Sequence, residues 1–587
     1  MRAHLVIKLG NQILLISEVQ MPERQLRIKA RSLVLWLLAV TLVFQAGFGA
    51  TGQLGVSVIE PALTAAIDKV FAEYDKTATP GCALGVWREG KVIYTRGYGL
   101  ANLEYNIPIT PESVFEAGSV SKQFTAGAIQ ILCQEGKLAL TDDVRKFVPE
   151  VPVFGPTITI RHLLTHTSGI RDQWGLLSAA GRPPGSAVHT LDEILDLVNR
   201  QRELNFAPGD EYLYSNTGYS LLAWVVLRAS GKSLADFSQE RIFRLLGMKS
   251  TQWRDDFTKI VEGRTTAYSW GEDRKFHQNM SFTNVYGNGG LLTTVGDLLI
   301  WSENFWDPSV IGRASLDEME IPAKLNDGAP IGYALGLGVG EYKGLREVSH
   351  SGSTAGYRAF LARYPEQKVA IALLSNFGGA NSSELGHKVI DVVLAGAIKD
   401  KPKPSPIKMT EEELRTKAGL YRNLKTDAVI RLTLKEGKLI MGEGRVRELV
   451  PIEPGRFLVE GGSEYLFEGG GEKKPLVVRQ TAEGYPPSFY TRVEPAMPTP
   501  QKLAEYEGKY WSEELEVFYI VAVKDGKLTI RHRPEPAAAL EPTYEDGFLV
   551  GGSWGGTVIR FTRDKKGHVN GISAYSGRVR HLKFFRK

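Results

Sequence analysis

The sequence predicts an α+β domain: a five-stranded antiparallel sheet flanked by helices, with an inserted helical subdomain, followed by two small all-β domains. Three observations predict it. Strand-like runs lie at both ends of residues 55–398 with a helix-rich stretch, about 111–305, between them. Two Pro-rich stretches, Lys399 to Pro406 and Glu494 to Pro500, interrupt the chain. The two pieces after them repeat each other at an offset of 89 residues.

The N-terminal region reads as an address. Arg24, Arg27, Lys29 and Arg31 precede the apolar run Leu33 to Phe44, and small residues Ala46, Gly47, Gly49 and Ala50 follow. That order is a secretory signal within 21–50, with cleavage near Gly49 or Ala50. Met21 opens the basic segment, so residues 1–20 read as an overextended start. The apolar run is short of the roughly 20 residues a spanning helix needs. Only an uncleaved segment would anchor the chain to a membrane, and the expected location is secreted or periplasmic.

Residues 55–398 form the expected large domain. A hairpin runs Cys82–Trp87, turns at Glu89-Gly90 and returns through Val92–Tyr98. Three more strand-like runs come late: Glu347–His350, Tyr357–Tyr364 and Val369–Leu374. Helices are expected at Glu60–Tyr74 and Ser382–Leu394. A linker over 399–410 leads to a first β-barrel repeat, 411–494. A second linker, 495–500, leads to a second repeat, 501–587. Ala418-Gly419-Leu420-Tyr421 matches Glu507-Gly508-Lys509-Tyr510, and Lys435-Glu436-Gly437-Lys438-Leu439 matches Lys524-Asp525-Gly526-Lys527-Leu528. Alternating apolar and polar residues between Gly turns make both pieces antiparallel.

Composition excludes several classes. The 587 residues carry 71 Lys+Arg against 66 Asp+Glu, a net charge of +5 without a basic block after residue 60, which argues against nucleic acid as a partner. Two Cys, Cys82 and Cys133, cannot make a disulfide scaffold or a Cys-rich metal module, and both read as core residues.

Three local patterns carry chemistry. Ser119 opens an amphipathic run through Phe124, Ala128 and Leu132, so it sits where helix N–H groups and the dipole favour an oxyanion. Lys122, three residues on, shares its face, and an ammonium beside a hydroxyl lowers the cost of deprotonating it. Alone, Ser-x-x-Lys also fits a surface helix cap. Tyr214-Ser215-Asn216 precedes a helix at Thr217–Leu227. A loop Tyr serves as general base only where cations stabilise its phenolate, and otherwise is structural. His350-Ser351-Gly352-Ser353 ends a strand, where the Gly permits close approach to the strand edge. His162 and His166 have helical ligand spacing, but Leu163 occupies the place where a zinc-protease motif needs Glu, so they read as a structural turn.

Together these motifs resemble the serine β-lactamase and penicillin-recognising hydrolases, class C branch, over about 57–397. The resemblance rests on Ser119-x-x-Lys122, on Phe206-x-Pro208-Gly209 before Tyr214-Ser215-Asn216, and on His350-Ser351-Gly352, with Arg161 to Gly169 and Gly289-Gly290-Leu291 as landmarks. His350 stands where class C β-lactamases carry Lys. That departure is similar to D-aminopeptidases, some D,D-carboxypeptidases and relatives with esterase activity, and the D-aminopeptidases also carry two C-terminal barrels. The resemblance implies an exported serine hydrolase that works through an acyl-enzyme on amides or peptides containing D-amino acids. It needs no metal or cofactor, and its partner is a small peptide, amide or ester. Ser119 attacks; Lys122 and Tyr214 manage its proton, with Tyr214 as base and later acid. Asn216 holds Lys122 and a substrate amide, His350 tunes Tyr214 electrostatically and orients the substrate carboxylate or leaving group, and the N–H groups of Ser119 and Ser353, with Gly352 beside them, form the oxyanion site. The alternatives are a carboxylesterase, a weak β-lactamase, or a cell-wall (penicillin-binding) protein without turnover. In the D-aminopeptidases a barrel loop narrows the cleft. Trp554, on the Gly-rich turn Gly551 to Gly556, is the expected tip here, and deleting 399–587 is expected to broaden substrate choice while Ser119 stays reactive.

Overall fold

The computed structural model describes residues 6–9, 12–15 and 60–587, less 400–401, 403, 443–445, 461, 471–475, 483, 533–535 and 555. In the unit Met1–Gly55, strand Val6–Leu9 pairs antiparallel with Gln12–Leu15. The expected export segment, 21–50, lies outside the described residues. Among the described residues, no helix is long and apolar enough to cross a membrane.

Val56–Lys587 forms one compact unit. Its central sheet is antiparallel, in the order Gly338–Tyr342, Leu345–Thr354, Tyr357–Tyr364, Val369–Ser375, Cys82–Arg88, Lys91–Tyr98. It has six strands, not five. The extra one, Gly338–Tyr342, is half glycine-patterned and sits at an edge, so it has little of the alternation that marks a strand in sequence. Val369–Ser375 is buried on both faces throughout, and so is Cys82–Arg88 up to its last residue. Ile67, Phe71, Val389 and Ile390 of the terminal helices Pro61–Val70 and Ser382–Val393 pack on one face. Helix Val295–Glu303 covers the other so closely that a Cβ on Gly85 would lie 2.9 Å from Leu299 Cδ1. Cys82 is buried in this core, whereas Cys133 is only half-buried at the end of its helix.

The inserted subdomain is built around helix Lys122–Gln134, buried on almost every side, and helix Asn216–Ser230 packed against it. The starts of these two helices meet near the end of strand Leu345–Thr354.

Both C-terminal repeats are closed eight-stranded barrels, Gly419–Arg422 through Tyr485–Val493 and Gly508–Ser512 through Val579–Arg586. Each is preceded by a short capped helix, Glu411–Arg415 or Pro500–Glu505. Equivalent glycines open them: Gly419 at φ +152° and Gly508 at φ +154°, each with an Arg Nε 3.0 Å from where a Cβ would be. The barrels differ in how they attach. The first has its own core, including Tyr421, Phe457 and Val478. The second shares a core with the hydrolase helices: Leu176, Leu177, Ile194 and Leu197 pack with Tyr519, Ile559 and Phe584. Beside that core the fully buried Arg171 donates from Nη1 to Glu514 Oε2 at 2.6 Å and from Nε to Arg580 O at 3.0 Å. Trp554 does not point into the catalytic cleft. It packs on its own barrel, 4.3 Å from the ring of His532 and 5.2 Å from Tyr519 between centroids.

Candidate active site

Strand Phe115–Glu116 ends in a sharp reversal at Gly118, φ +52°. A Cβ there would lie 2.7 Å from Ser353 N, so both the conformation and the contact exclude larger residues. One turn of 3₁₀ helix, Gly118–Ser121, then leads into Lys122–Gln134. Ser119 emerges on this turn, partly exposed. Ser121 is buried and donates to Gly118 O at 2.5 Å, so it offers no second nucleophile.

Lys122 is fully buried and its Nζ has three partners: Ser119 Oγ at 3.2 Å, Asn216 Oδ1 at 3.0 Å and Asn288 O at 2.5 Å. The Asn216 amide is oriented, because its Nδ2 donates to Asp172 Oδ2 at 2.9 Å. Two of the three Lys122 partners are therefore acceptors only. Either protonation state satisfies the set: an ammonium donates to all three oxygens, and a neutral amine donates to Asn216 and Asn288 while accepting from the Ser119 hydroxyl. Burial, with Arg578 adding to it, holds Lys122 well below the usual ammonium range, against the pull of Asp172.

Tyr214 lies on the loop before helix Asn216–Ser230, with Lys122 Nζ 4.8 Å and Arg578 Cζ 4.7 Å from its ring centroid. Two basic side chains that could stabilise a phenolate are thus at its ring. Burial nevertheless raises its pKa above the usual phenol value, and a hydrogen bond with Ser119 and the Arg578 charge only partly oppose this. Burial thus favours the phenol form of Tyr214 and disfavours the Lys122 ammonium, so both shifts run against a phenolate base.

His350 also differs from expectation. Its Nδ1 faces Ser351 O at 2.6 Å and so carries the proton, leaving Nε2 to accept from Tyr333 Oη at 3.0 Å. Burial and the Lys122 charge push its pKa down to about 3. A neutral ring 6.3 Å from Tyr214 between centroids does not tune it by charge. It orders Tyr333 and the strand end instead.

The edge strand Gly338–Tyr342 pairs only as far as Ser349, so His350–Thr354 presents a free edge to Ser119. Gly352 belongs to that edge, where a Cβ would lie 2.0 Å from Ala117 O. All seven residues singled out in the sequence therefore meet at one cleft of about 630 Å³, lined by Ser119, Tyr214, Asn216, His350 and Ser353.

Four groups at the site carry no recognisable sequence signal in this role. Asp172 accepts from Asn216 N at 2.7 Å and Nδ2 while capping helix Gln173–Ala179. Asn288 supplies the carbonyl for Lys122, and only the adjacent Gly289-Gly290 hinted at it. His166, at φ +59° and buried, is part of a turn as expected. Its ring also lies tilted 4.1 Å from that of Tyr214 between centroids and accepts from Ser215 N at 3.1 Å, which fixes the Tyr214 loop. Arg578 comes from the second barrel, on the turn between Val569–Ser576 and Val579–Arg586, with Nη1 4.0 Å from Asp172 Oδ2.

The fold is similar to that of known proteins. The chain is 33% identical over 304 residues to penicillin-binding protein 4* of Bacillus subtilis, covering 49% of this chain and 66% of that one. It is 29% identical over 321 residues to the D-aminopeptidase of Brucella canis, covering 54% and 60%. The chain thus spans a little under two thirds of the length of these curated relatives. The octameric penicillin-binding protein homologue of Pyrococcus abyssi shares the fold at a TM-score of 0.52 and 23% identity, over 81% of this chain and 99% of that one. The beta-lactamase family model matches residues 67–394, the whole sheet domain that builds this cleft, and the chain belongs to the beta-lactamase family.

Proposed function

We propose that the protein is an exported serine hydrolase that cleaves amide or peptide bonds through an acyl-enzyme on Ser119. The observation that carries this reading is the placement of Lys122 Nζ, 3.2 Å from Ser119 Oγ and held by Asn216 and Asn288 in a buried site that disfavours the ammonium. Ser119 Oγ attacks the substrate carbonyl as its proton passes to Lys122 Nζ. The oxyanion is held by the N–H groups of Ser119 and Ser353. Tyr214 gives its proton to the leaving nitrogen and regains one from the Lys122 ammonium, and the amine departs. Water then attacks the ester, giving up a proton through the same pair as Ser119 recovers its own. The products are an acid and an amine.

The charges of the cleft favour a substrate bearing a carboxylate. Glu116 is engaged by Arg254 at 2.9 and 3.2 Å, and Asp172 by Asn216, whereas Arg578 stands half-exposed at the cleft wall. A free C-terminal carboxylate on the leaving group matches Arg578, so carboxypeptidase action is favoured over aminopeptidase action, which needs an anion for the substrate ammonium. Preference for D-residues is proposed from the relative named D-aminopeptidase. Export is proposed from the basic and apolar order of residues 24–50. A short-chain esterase is the second reading, since an ester asks less of the proton donor.

Two outcomes test the roles. With a panel of peptides ending in D-Ala-D-Ala, D-amino acid amides, short-chain esters and nitrocefin, the peptides are expected to turn over fastest. Arg578→Ala is expected to raise KM about tenfold for the carboxylate-bearing peptides while leaving esters within twofold; equal effects on both would remove the anchoring role. Tyr214→Phe is expected to slow amide turnover at least about 100-fold, as loss of a general acid does. Labelling of Ser119 by a fluorophosphonate, whose fluoride leaves without a proton, should slow less than tenfold. Equal losses in both assays would make Tyr214 the base.

A further inference from the structure

The mouth of the second barrel holds a cavity separate from the catalytic cleft. It measures about 450 Å³ and is walled by Tyr519, His532 and Trp554 of the barrel and by Ala179 and Pro183 of the hydrolase. This is within the usual size of a small-molecule site, roughly 300–1,000 Å³. The barrel interior beneath is filled by residues such as Ile559, Phe561 and Phe584, so the cavity is a cup with a packed floor.

Its chemistry is narrow. Tyr519 and His532 stack at 5.2 Å and 17°, and Trp554 tilts against His532 at 4.3 Å, giving an aromatic wall. The Tyr519 hydroxyl is committed to Ala179 O at 2.8 Å, and the Thr557 hydroxyl to Trp554 O at 2.6 Å. Ser178 and Ser576 supply hydroxyls at the rim. The described lining residues other than His532 are uncharged, which favours a guest that needs little hydration. A flat, uncharged aromatic molecule with one hydrogen-bonding edge fits this wall, by offset or edge-to-face ring contacts. This cup also accounts for Trp554 on its Gly-rich turn, which the cleft does not use.

Two segments are shared between the cup and the cleft. Ser576 and Val579 line the cup, and between them Arg578 extends to Tyr214 and Asp172. Pro183 lines the cup, and the next two residues, Pro184 and Gly185, line the cleft. We propose that the mouth of the second barrel is a second ligand site for a small uncharged aromatic molecule, and that its occupancy sets the position of Arg578 at the catalytic cleft. The binding half stands by itself; the coupling half rests on the proposed function.

Indole is the probe. In full-length protein labelled with ¹⁵N-tryptophan, indole is expected to shift the side-chain N–H signal of Trp554, assigned with Trp554→Phe, and to leave that of Trp174, at the cleft, in place. A shift of Trp174 alone, or no shift of Trp554 at millimolar indole, would overturn the site. Saturating indole is expected to change the rate of fluorophosphonate labelling at Ser119 at least threefold in the native protein and less than 1.5-fold in Arg578→Ala. An unchanged rate in the native protein would overturn the coupling. If Ser119 takes no label at all, the proposed hydrolase function fails, while the Trp554 signal still decides the site.

Discussion

Ser119→Ala is expected to lower amide turnover at least about 10⁴-fold and to abolish fluorophosphonate labelling, with the fold intact. The size follows from the loss of the only hydroxyl in place: removal of a nucleophile leaves just the oxyanion site and binding to act. Ser121 cannot substitute, since its hydroxyl is buried, donates to Gly118 O and accepts from Leu291 N. Nor is the fold at risk. Ser119 makes no helix-capping bond, and of its partners Lys122 keeps both of its carbonyl acceptors while Tyr214 loses a single hydrogen bond. A melting temperature within a few degrees of the native protein, with no turnover, is the expected pair of results. Retained turnover in purified variant would move the nucleophile elsewhere.

Glu514→Ala is expected to destabilise the protein by about 3–5 kcal/mol, as removal of one partner of a buried ion pair does. Arg171 would be left fully buried with only neutral acceptors, Gln201 Oε1 and the carbonyls of Arg580 and His581. Those three bonds place the cost toward the lower end. Replacing both partners, Arg171→Met with Glu514→Leu, should recover most of it, because the pair's attraction roughly offsets its desolvation. Chemical denaturation of the single and double variants checks this; a single variant within 1 kcal/mol of native would show that the barrel is loosely docked. The same interface revises the expectation for removing residues 399–587. Leu176, Leu177, Ile194 and Leu197 would each be exposed at about 1.5–3 kcal/mol. Their sum is comparable to the whole stability of a domain. Truncation is therefore expected to give insoluble or unfolded protein, not a permissive hydrolase.

What was legible in the sequence divides by range. Strands buried on both faces, such as Val369–Ser375, announce themselves as unbroken apolar runs. The barrel repeats were legible because their Gly turns recur at one offset. Gly338–Tyr342 was not, since an edge strand of alternating Gly has few side chains to form a pattern. The same division holds at the site. Ser119 and Lys122 lie one helical turn apart, and Tyr214 lies two residues before Asn216, so local spacing found them. Asp172, Asn288 and Arg578 reach the cleft only through tertiary packing, and Arg578 crosses from another barrel. Position was legible where charge was not. His350 and Tyr214 sit where the motifs put them, but their protonation follows from burial beside Lys122, which no spacing encodes. Trp554 illustrates the remaining failure: an aromatic on a Gly-rich turn marks a projection without saying which cavity it faces.

The central claim is that Ser119 loses its proton to a neutral Lys122. A depressed ammonium pKa means the base form is present above that pKa and is lost as pH falls through it. The pH dependence of fluorophosphonate labelling at Ser119, followed by mass spectrometry of the Ser119 peptide, reads this directly in native protein and in Tyr214→Phe. Labelling is expected to fall at acid pH with the same midpoint in both proteins. Loss of that acid limb in Tyr214→Phe would contradict it and return the base to the phenolate.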